Sequence, residues 1–289
     1  MHSSGCSILG ISVRLPENLS RSAFWSALRE GRSFRGGLDR ARRELVAPGS
    51  GTQWSERGDV VASFLSDIDR FDAALFGLSP TAAMFTDPRQ RLLMEATYAA
   101  IEDAGLSRPE LAGQRVGVFV AHDGWYLGAY AKRIAPEQTV SQEFIVPGNT
   151  PSFLANRLSA VFDFVGPSMI FDSTCSGTYV AMHHACQALQ SGECDYAIVA
   201  GVTLFLDPWR DQEHAATPFE THAAHIASFS NQASGYRTAE GCGAFLLERQ
   251  TPESERLRSP YCTVRASGYN AGGKTASFAR PSEKQLVAL

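Results

Sequence analysis

Residues 167–205, PSMIFDSTCSGTYVAMHHACQALQSGECDYAIVAGVTLF, constrain the fold more than any other stretch. Two short apolar runs, PSMIFDS (167–173) and DYAIVAGVTLF (195–205), flank a segment that reads as a helix over 176–190. Continuous runs of this kind suit strands covered on both faces. Tyr179, Val180, Ala181, Met182, Ala185, Cys186, Ala188 and Leu189 surround most of the helix with apolar or small groups. That predicts a buried helix rather than a surface one. The alternation continues on both sides, with strands predicted at 6–13, 115–121, 241–249 and 261–268. A helix over 20–31 has Ser20 as N-cap and Gly31 as its stop. A second, over 86–105, has Asp87 as N-cap, Pro88 at its first position and Gly105 beyond its end. Its apolar stripe is Leu92, Leu93, Ala96, Ala99 and Ala100. Residues 33–70 are Gly/Arg-rich and predict an irregular surface excursion, while 122–148 and 207–235 lack clean periodicity. The whole is an α/β pattern with a largely buried sheet.

Composition narrows the class of function. The 289 residues allow one large domain or two ordinary ones, and 44% hydrophobic with 19% charged residues is a globular balance. A net charge of −4 argues against a general nucleic-acid or anionic-membrane binder. No apolar run approaches the roughly 20 residues of a membrane-spanning helix. MHSSGCSILGISVRLPE lacks the basic and apolar regions of a secretory signal and reads as leading straight into a strand. Cys6, Cys175, Cys186, Cys194, Cys242 and Cys262 show neither a CxxC pair nor zinc spacing. A reduced, cytoplasmic setting is the expectation, with no metal site.

One of these cysteines stands apart. Cys175 lies in FDSTCSGT, where a strand turns into a helix among small and hydroxyl residues. A thiol there sits beside unpaired backbone N–H groups and the positive end of the helix dipole, and both stabilise negative charge on sulfur. Ser176, Gly177 and Thr178 leave room for a substrate. The same spacing equally suits a buried packing cysteine behind a Ser or Thr cap.

DSTCSGTYVAMHHACQALQSGECDYAIVAGV resembles the active-site region of β-ketoacyl synthases, especially the ketosynthase domains of modular polyketide synthases. CSILGISVRLPENLSRSAFWSALREGRS, the segment FDAALFGLSPTAAMFTDPRQRLLMEATYAAIEDAG with its DPxQR motif, ANRLSAVFDFVGPS and SFSNQASGYRTAEGCGAFLLER are similar in order and spacing. The resemblance implies a thiolase-like layered fold: an N-terminal half over 1–250, then the start of a connection to a C-terminal half over 251–289. It implies that Cys175 takes an acyl group from acyl carrier protein as a thioester, with its own backbone N–H in the oxyanion hole. A carrier-bound malonyl-type extender would then lose CO2 and attack that thioester. No cofactor would bind directly, since the phosphopantetheine belongs to the acyl carrier protein. Expected partners are that carrier, a complementary C-terminal half or larger synthase, and a second subunit in a homo- or heterodimer. Alone, the chain is expected to expose an apolar face and to self-associate.

The resemblance also implies two histidines and a lysine of the second half, and neither an HGTGT-like nor the GH-containing motif occurs in these residues. The histidines present are His2, His122, His183, His184, His214, His222 and His225. His183 follows Cys175 by eight positions, about 12 Å along a helix, too far for direct proton transfer. His183 and His184 read as satisfied buried or interface groups, and His214, His222 and His225 as surface residues. The family's CSSS reads here Cys175-Ser176-Gly177-Thr178, its GEG reads Ala239-Glu240-Gly241, and its NHDG-like turn reads Asn270-Ala271-Gly272-Gly273. Glu240 is expected to be a structural, hydrogen-bonded carboxylate. Arg29, Arg32, Arg35, Arg40, Arg42 and Arg43 could form a docking edge for an acidic carrier or simply a solvated face. Three readings stay open: a condensing half that needs a complement, a non-condensing acyl transferase, and a degenerate non-catalytic partner subunit.

Overall fold

The computed structural model describes residues 5–38, 42–43, 61–122, 130, 142–206, 223, 226–251, 259–277 and 280–289. Strands β1 (Cys6–Arg14), β4 (Val116–His122), β5 (Ser168–Phe171), β6 (Tyr196–Thr203), β7 (Gly241–Arg249) and β8 (Cys262–Val264) form one sheet in the order β5-β4-β6-β7-β1-β8. β4 runs parallel to both β5 and β6, whereas β7 is antiparallel to β6 and β1. Two residues each from β2 (Gly36–Gly37) and β3 (Val61–Ala62) make a separate antiparallel pair.

The predicted strands are all present: β7 has the expected bounds, β1 runs one residue further, β4 is shifted by one, and β5, β6 and β8 are shorter. The segment expected over 261–268 pairs only at Cys262–Val264, as the edge beside β1. β5 is the opposite edge and is not covered on both faces, because Met169 is exposed.

Helices α1 (Arg21–Arg29), α2 (Pro80–Phe85), α3 (Pro88–Asp103), α4 (Arg108–Leu111), α5 (Gln142–Asn149), α6 (Phe153–Phe162), α7 (Gly177–Ser191) and α8 (Glu283–Ala288) complete the described elements. Ser20 and Asp87 cap α1 and α3, their side chains accepting from Ala23 N and Arg89 N. Gly31 and Gly105 follow these helices at φ +67° and +70°, a region that favours glycine. α3 lies hard against β1: a Cβ at Gly10 would stand 2.0 Å from the Ala100 carbonyl oxygen. Ala99, placed on the apolar stripe by its spacing, is exposed.

The DPRQR stretch is buried for a reason of its own. Gln90 Nε2 donates to the carbonyls of Pro147 (3.0 Å) and Gly148 (2.9 Å), and its Oε1 accepts from Arg157 Nε. The motif thus ties α3 to the end of α5 and to α6. α5 itself lies in a region whose sequence predicted no regular structure.

Among its described residues, the 33–70 stretch, expected as a surface excursion, is partly buried. Leu38, Ala62, Leu65 and Ile68 are buried, and so is Arg42. Arg42 forms an ion pair with Glu240 at the mouth of the sheet.

Side-chain alternation assigns the two faces. Val118 and Val120 of β4, Ile198 and Ala200 of β6, and Ala244 and Leu246 of β7 belong to a core shared with α3 and α6. Phe119, Ala197, Val199 and Leu247 face α7 in a separate core with Ala181, Ala185, Ala188 and Leu189. The sheet is therefore sandwiched between helices, and α7 approaches closely through its alanines.

Candidate active site

β5 ends at Phe171, and the chain turns through a short 3-10 helix, Thr174–Ser176, before α7 begins. Ser176 Oγ donates to the Ser173 carbonyl at 2.8 Å, which closes the turn from within. Thr174 occupies the left-handed region at φ +49°. Gly177 opens α7, and a Cβ there would come within 3.1 Å of the Ala121 Cβ. The helix start thus rests directly on the end of β4. Ser176, the helix N-cap, makes no side-chain cap. The seam places the dipole end of α7 at the carboxyl ends of parallel strands, where α/β sheets hold their ligands.

Cys175 sits in that 3-10 turn, one residue earlier than the helix start predicted at 176, and it is exposed. Cys6, Cys186, Cys194 and Cys242 are buried. Burial pushes the Cys194 thiol up to about 11 and the Cys242 thiol up to about 12. Cys262 is also exposed, but on the edge strand β8. The packing-cysteine reading therefore applies to four of the six and not to Cys175.

Beside Cys175 opens a cavity of about 600 Å³. Thr174, Cys175 and Thr178 line one side, with Gly201 and Thr203 of β6 and Arg237 on others. Val13, Leu15 and Phe245 give it an apolar wall. Its size is that of a small-molecule site.

Glu240 lines the same cavity but is fully committed. Its Oε1 accepts from Arg42 Nη2 and from the Phe205 amide (2.7 Å), and its Oε2 accepts from the Leu65 amide (2.8 Å). Burial raises its pKa against the opposing pull of Arg42 and the two amides. Glu240 is thus the hydrogen-bonded carboxylate expected, holding the 61–65 segment and the end of β6 together. The same ion pair removes Arg42 from the arginine-rich edge, because an expected surface cation is buried. Of the other members, Arg32 is exposed and paired with Glu17, Arg29 and Arg35 are exposed, and Arg40 lies outside the described residues.

Among the histidines, His183 and His184 flank α7 away from the cavity. His183 Nδ1 lies 3.0 Å from Ser267 Oγ, and its ring meets Tyr269 edge-on at 5.1 Å. His184 stacks on Phe171 at 5.0 Å. Both are half-buried. His2, His214, His222 and His225 lie outside the described residues. His122, outside every quoted motif, and Arg237, inside SFSNQASGYRTAEGCGAFLLER but given no role there, line the cavity with Cys175. His122 could have been suspected from its place at the end of the run RVGVFVA; Arg237 left no such signal. The described residues contain no group of three or more His, Cys, Asp or Glu able to hold a metal ion, and no helix long and apolar enough to cross a membrane.

The mixed sheet layered between helices, with a thiol at the strand-to-helix seam, has the arrangement of the solved ketosynthase domains of thiolase-like fold to which the chain is similar. The N-terminal domain model of β-ketoacyl synthase matches residues 5–253, and the chain belongs to that family. It is 33% identical over 281 residues to polyketide synthase PksL of Bacillus subtilis, covering 95% of this chain and 6% of that protein. It is 32% identical over 297 residues to the reducing polyketide synthase FUB1 of Gibberella moniliformis, covering 99% of this chain and 12% of that protein. Among solved structures it is similar to the oxazolomycin ketosynthase domain OzmH KS7 of Streptomyces albus JA3453, with TM-score 0.82 and 29% identity. It is also similar to the module 6 ketosynthase of the bacillaene synthase from Bacillus subtilis 168, with TM-score 0.80 and 27% identity. In both, 99% of this chain is covered, but only 49% and 47% of the solved chains. The chain thus spans a small part of its curated relatives and about half of a solved ketosynthase.

Proposed function

We propose that this chain is the acyl-accepting half of a polyketide-type ketosynthase, with Cys175 as its nucleophile. The observation that carries the reading is the placement of Cys175: an exposed thiol at the seam of β5 and α7, opening on the cavity, while the cysteines of the two cores are buried. The Cys175 thiolate attacks the thioester carbonyl of an acyl group on the phosphopantetheine of an acyl carrier protein. A tetrahedral oxyanion forms, accepting from the Cys175 backbone N–H. Its collapse breaks the donor C–S bond, releases the phosphopantetheine thiolate and leaves the acyl group on Cys175.

Decarboxylative condensation is proposed to need a complementary C-terminal half, in keeping with solved ketosynthase chains about twice as long as the span matched here. The histidines near α7 do not replace it, because His183 is held by Ser267 and Tyr269 on the helix flank. On this reading residues 1–250 form the N-terminal domain and 251–289 begin the connection. Val165, Met169 and Tyr179 are exposed around the edge strand β5, which supports association with a second subunit. Nothing in the reaction requires a bound metal or cofactor, and a cytoplasmic setting is proposed with it.

Incubating the chain with an acyl-carrier thioester should add the acyl mass to the peptide containing Cys175, and Cys175→Ala should abolish the adduct. An adduct that persists in Cys175→Ala would overturn the site. Labelled CO2 released from malonyl carrier by the chain alone would overturn the need for a complement.

A further inference from the structure

The cavity beside Cys175 holds a cation that acyl transfer itself does not require. Arg237 lines it together with the thiol. Its Nη2 donates to the Ala223 carbonyl, and its Nε is buried in the wall with no hydrogen-bond partner among the described residues. Among the described residues, Glu240 is the one carboxylate of the lining, and its two oxygens are occupied by Arg42, Phe205 and Leu65. Cys242, also in the lining, is held as a neutral thiol by burial. Val13, Leu15, Ala121 and Phe245 form an apolar wall, beside the polar His122, Thr203 and Thr238, and a charge pair against that wall is strengthened.

We propose that Arg237 selects acyl groups that end in a carboxylate, so that the cavity takes the monothioester of a short dicarboxylic acid. The proposal rests on Cys175 being the acyl acceptor. A guanidinium donates charge-assisted N–H bonds to a carboxylate, and these are stronger than neutral ones. The phosphate of a phosphopantetheine arm is a poorer match, because the length of the arm separates it from the thioester, whereas Arg237 and the thiol share one cavity. The acyl chain would lie along the apolar wall, its thioester carbonyl at Cys175 and its far carboxylate on the guanidinium.

Succinyl and butyryl N-acetylcysteamine thioesters share chain length and carry no phosphate. Offered together to the full chain, they should acylate Cys175 with succinyl ahead of butyryl by about tenfold, as one charge-assisted pair allows. Arg237→Gln should bring the succinyl-to-butyryl ratio down about tenfold, while Arg237→Lys should keep part of the preference. Thermal melting of both variants separates selectivity from folding, and the ratio is read within one sample, so partial unfolding does not move it. Equal acylation by the two thioesters in the unsubstituted chain would overturn the proposal. So would an equal slowing of both by Arg237→Gln, which would place the guanidinium on the thiolate instead. Absence of any adduct, or its survival in Cys175→Ala, would instead refute Cys175 as acceptor and the selectivity with it.

Discussion

On one face of the sheet, α3 and α6 lay Leu92, Leu93, Met94, Leu154, Leu158 and Phe162 over β1, β4, β5, β6 and β7, and the packing is closed. On the other face, among the described residues, α7 covers β4, β6 and parts of β5 and β7. Small residues, Ala181, Ala185 and Ala188, meet the sheet there, and Tyr179 stands 80% exposed on the far side of the same helix. The cavity with Cys175 opens at the carboxyl end of the strands beside this sparsely covered face. Stability and chemistry are thus divided between the faces. The closed face anchors the sheet, and the open face leaves room for a substrate and for a further layer of protein.

That division can be broken by substitution. Leu93→Ala, on the closed face and fully buried, should destabilise the chain by about 2–5 kcal/mol in denaturant unfolding. A loss under about 1 kcal/mol would mean that the α3 layer is not the anchor. Alkaline pH gives a second, smaller effect. Cys194 and Cys242 have ordinary thiol values of 9.0 and are raised to about 11 and 12 in the fold, so the native state holds protons that the unfolded chain releases. Their contribution is complete below about pH 9 and is lost as pH rises towards 11–12. Between pH 9 and 10.5 stability should fall by about 1–2 kcal/mol from each, and Cys242→Ala should flatten part of that slope. An unchanged slope would show that Cys242 is reached by water. The smallest effect belongs to the open face: Tyr179→Ser should stay within about 0.5 kcal/mol in dilute solution. A loss that grows with protein concentration would show a second copy covering this helix.

Much of the architecture was legible before any coordinates. β1, β4, β6 and β7 announce themselves as apolar runs because both faces of the sheet interior are buried. α1 and α3 were bounded by Ser20 and Asp87, whose capping is a local hydrogen bond and needs no tertiary contact. α5 was missed because its eight residues contain Pro147 and show no clear stripe; contacts from Gln90 and Arg157 to the Pro147 carbonyl hold it from outside. The circumference of α7 overstated its burial, since composition cannot tell a helix with two apolar neighbours from one with a single sheet beneath it. Arg42 looked like a surface cation for a related reason. Its partner Glu240 lies 198 residues away, and only folding brings the pair together.

By itself the sequence determined the order of elements, the strand-to-helix turn at FDSTCSGT and the family to which those motifs point. These depend on periodicity, capping and small-residue spacing, all of which act within a few residues. Tertiary structure decided which of the six cysteines faces a cavity, that Glu240 is held by Arg42, and that Arg237 stands in the same space as Cys175. Those outcomes follow from burial and from contacts between distant segments, whose free energies exist only once the sheet has assembled.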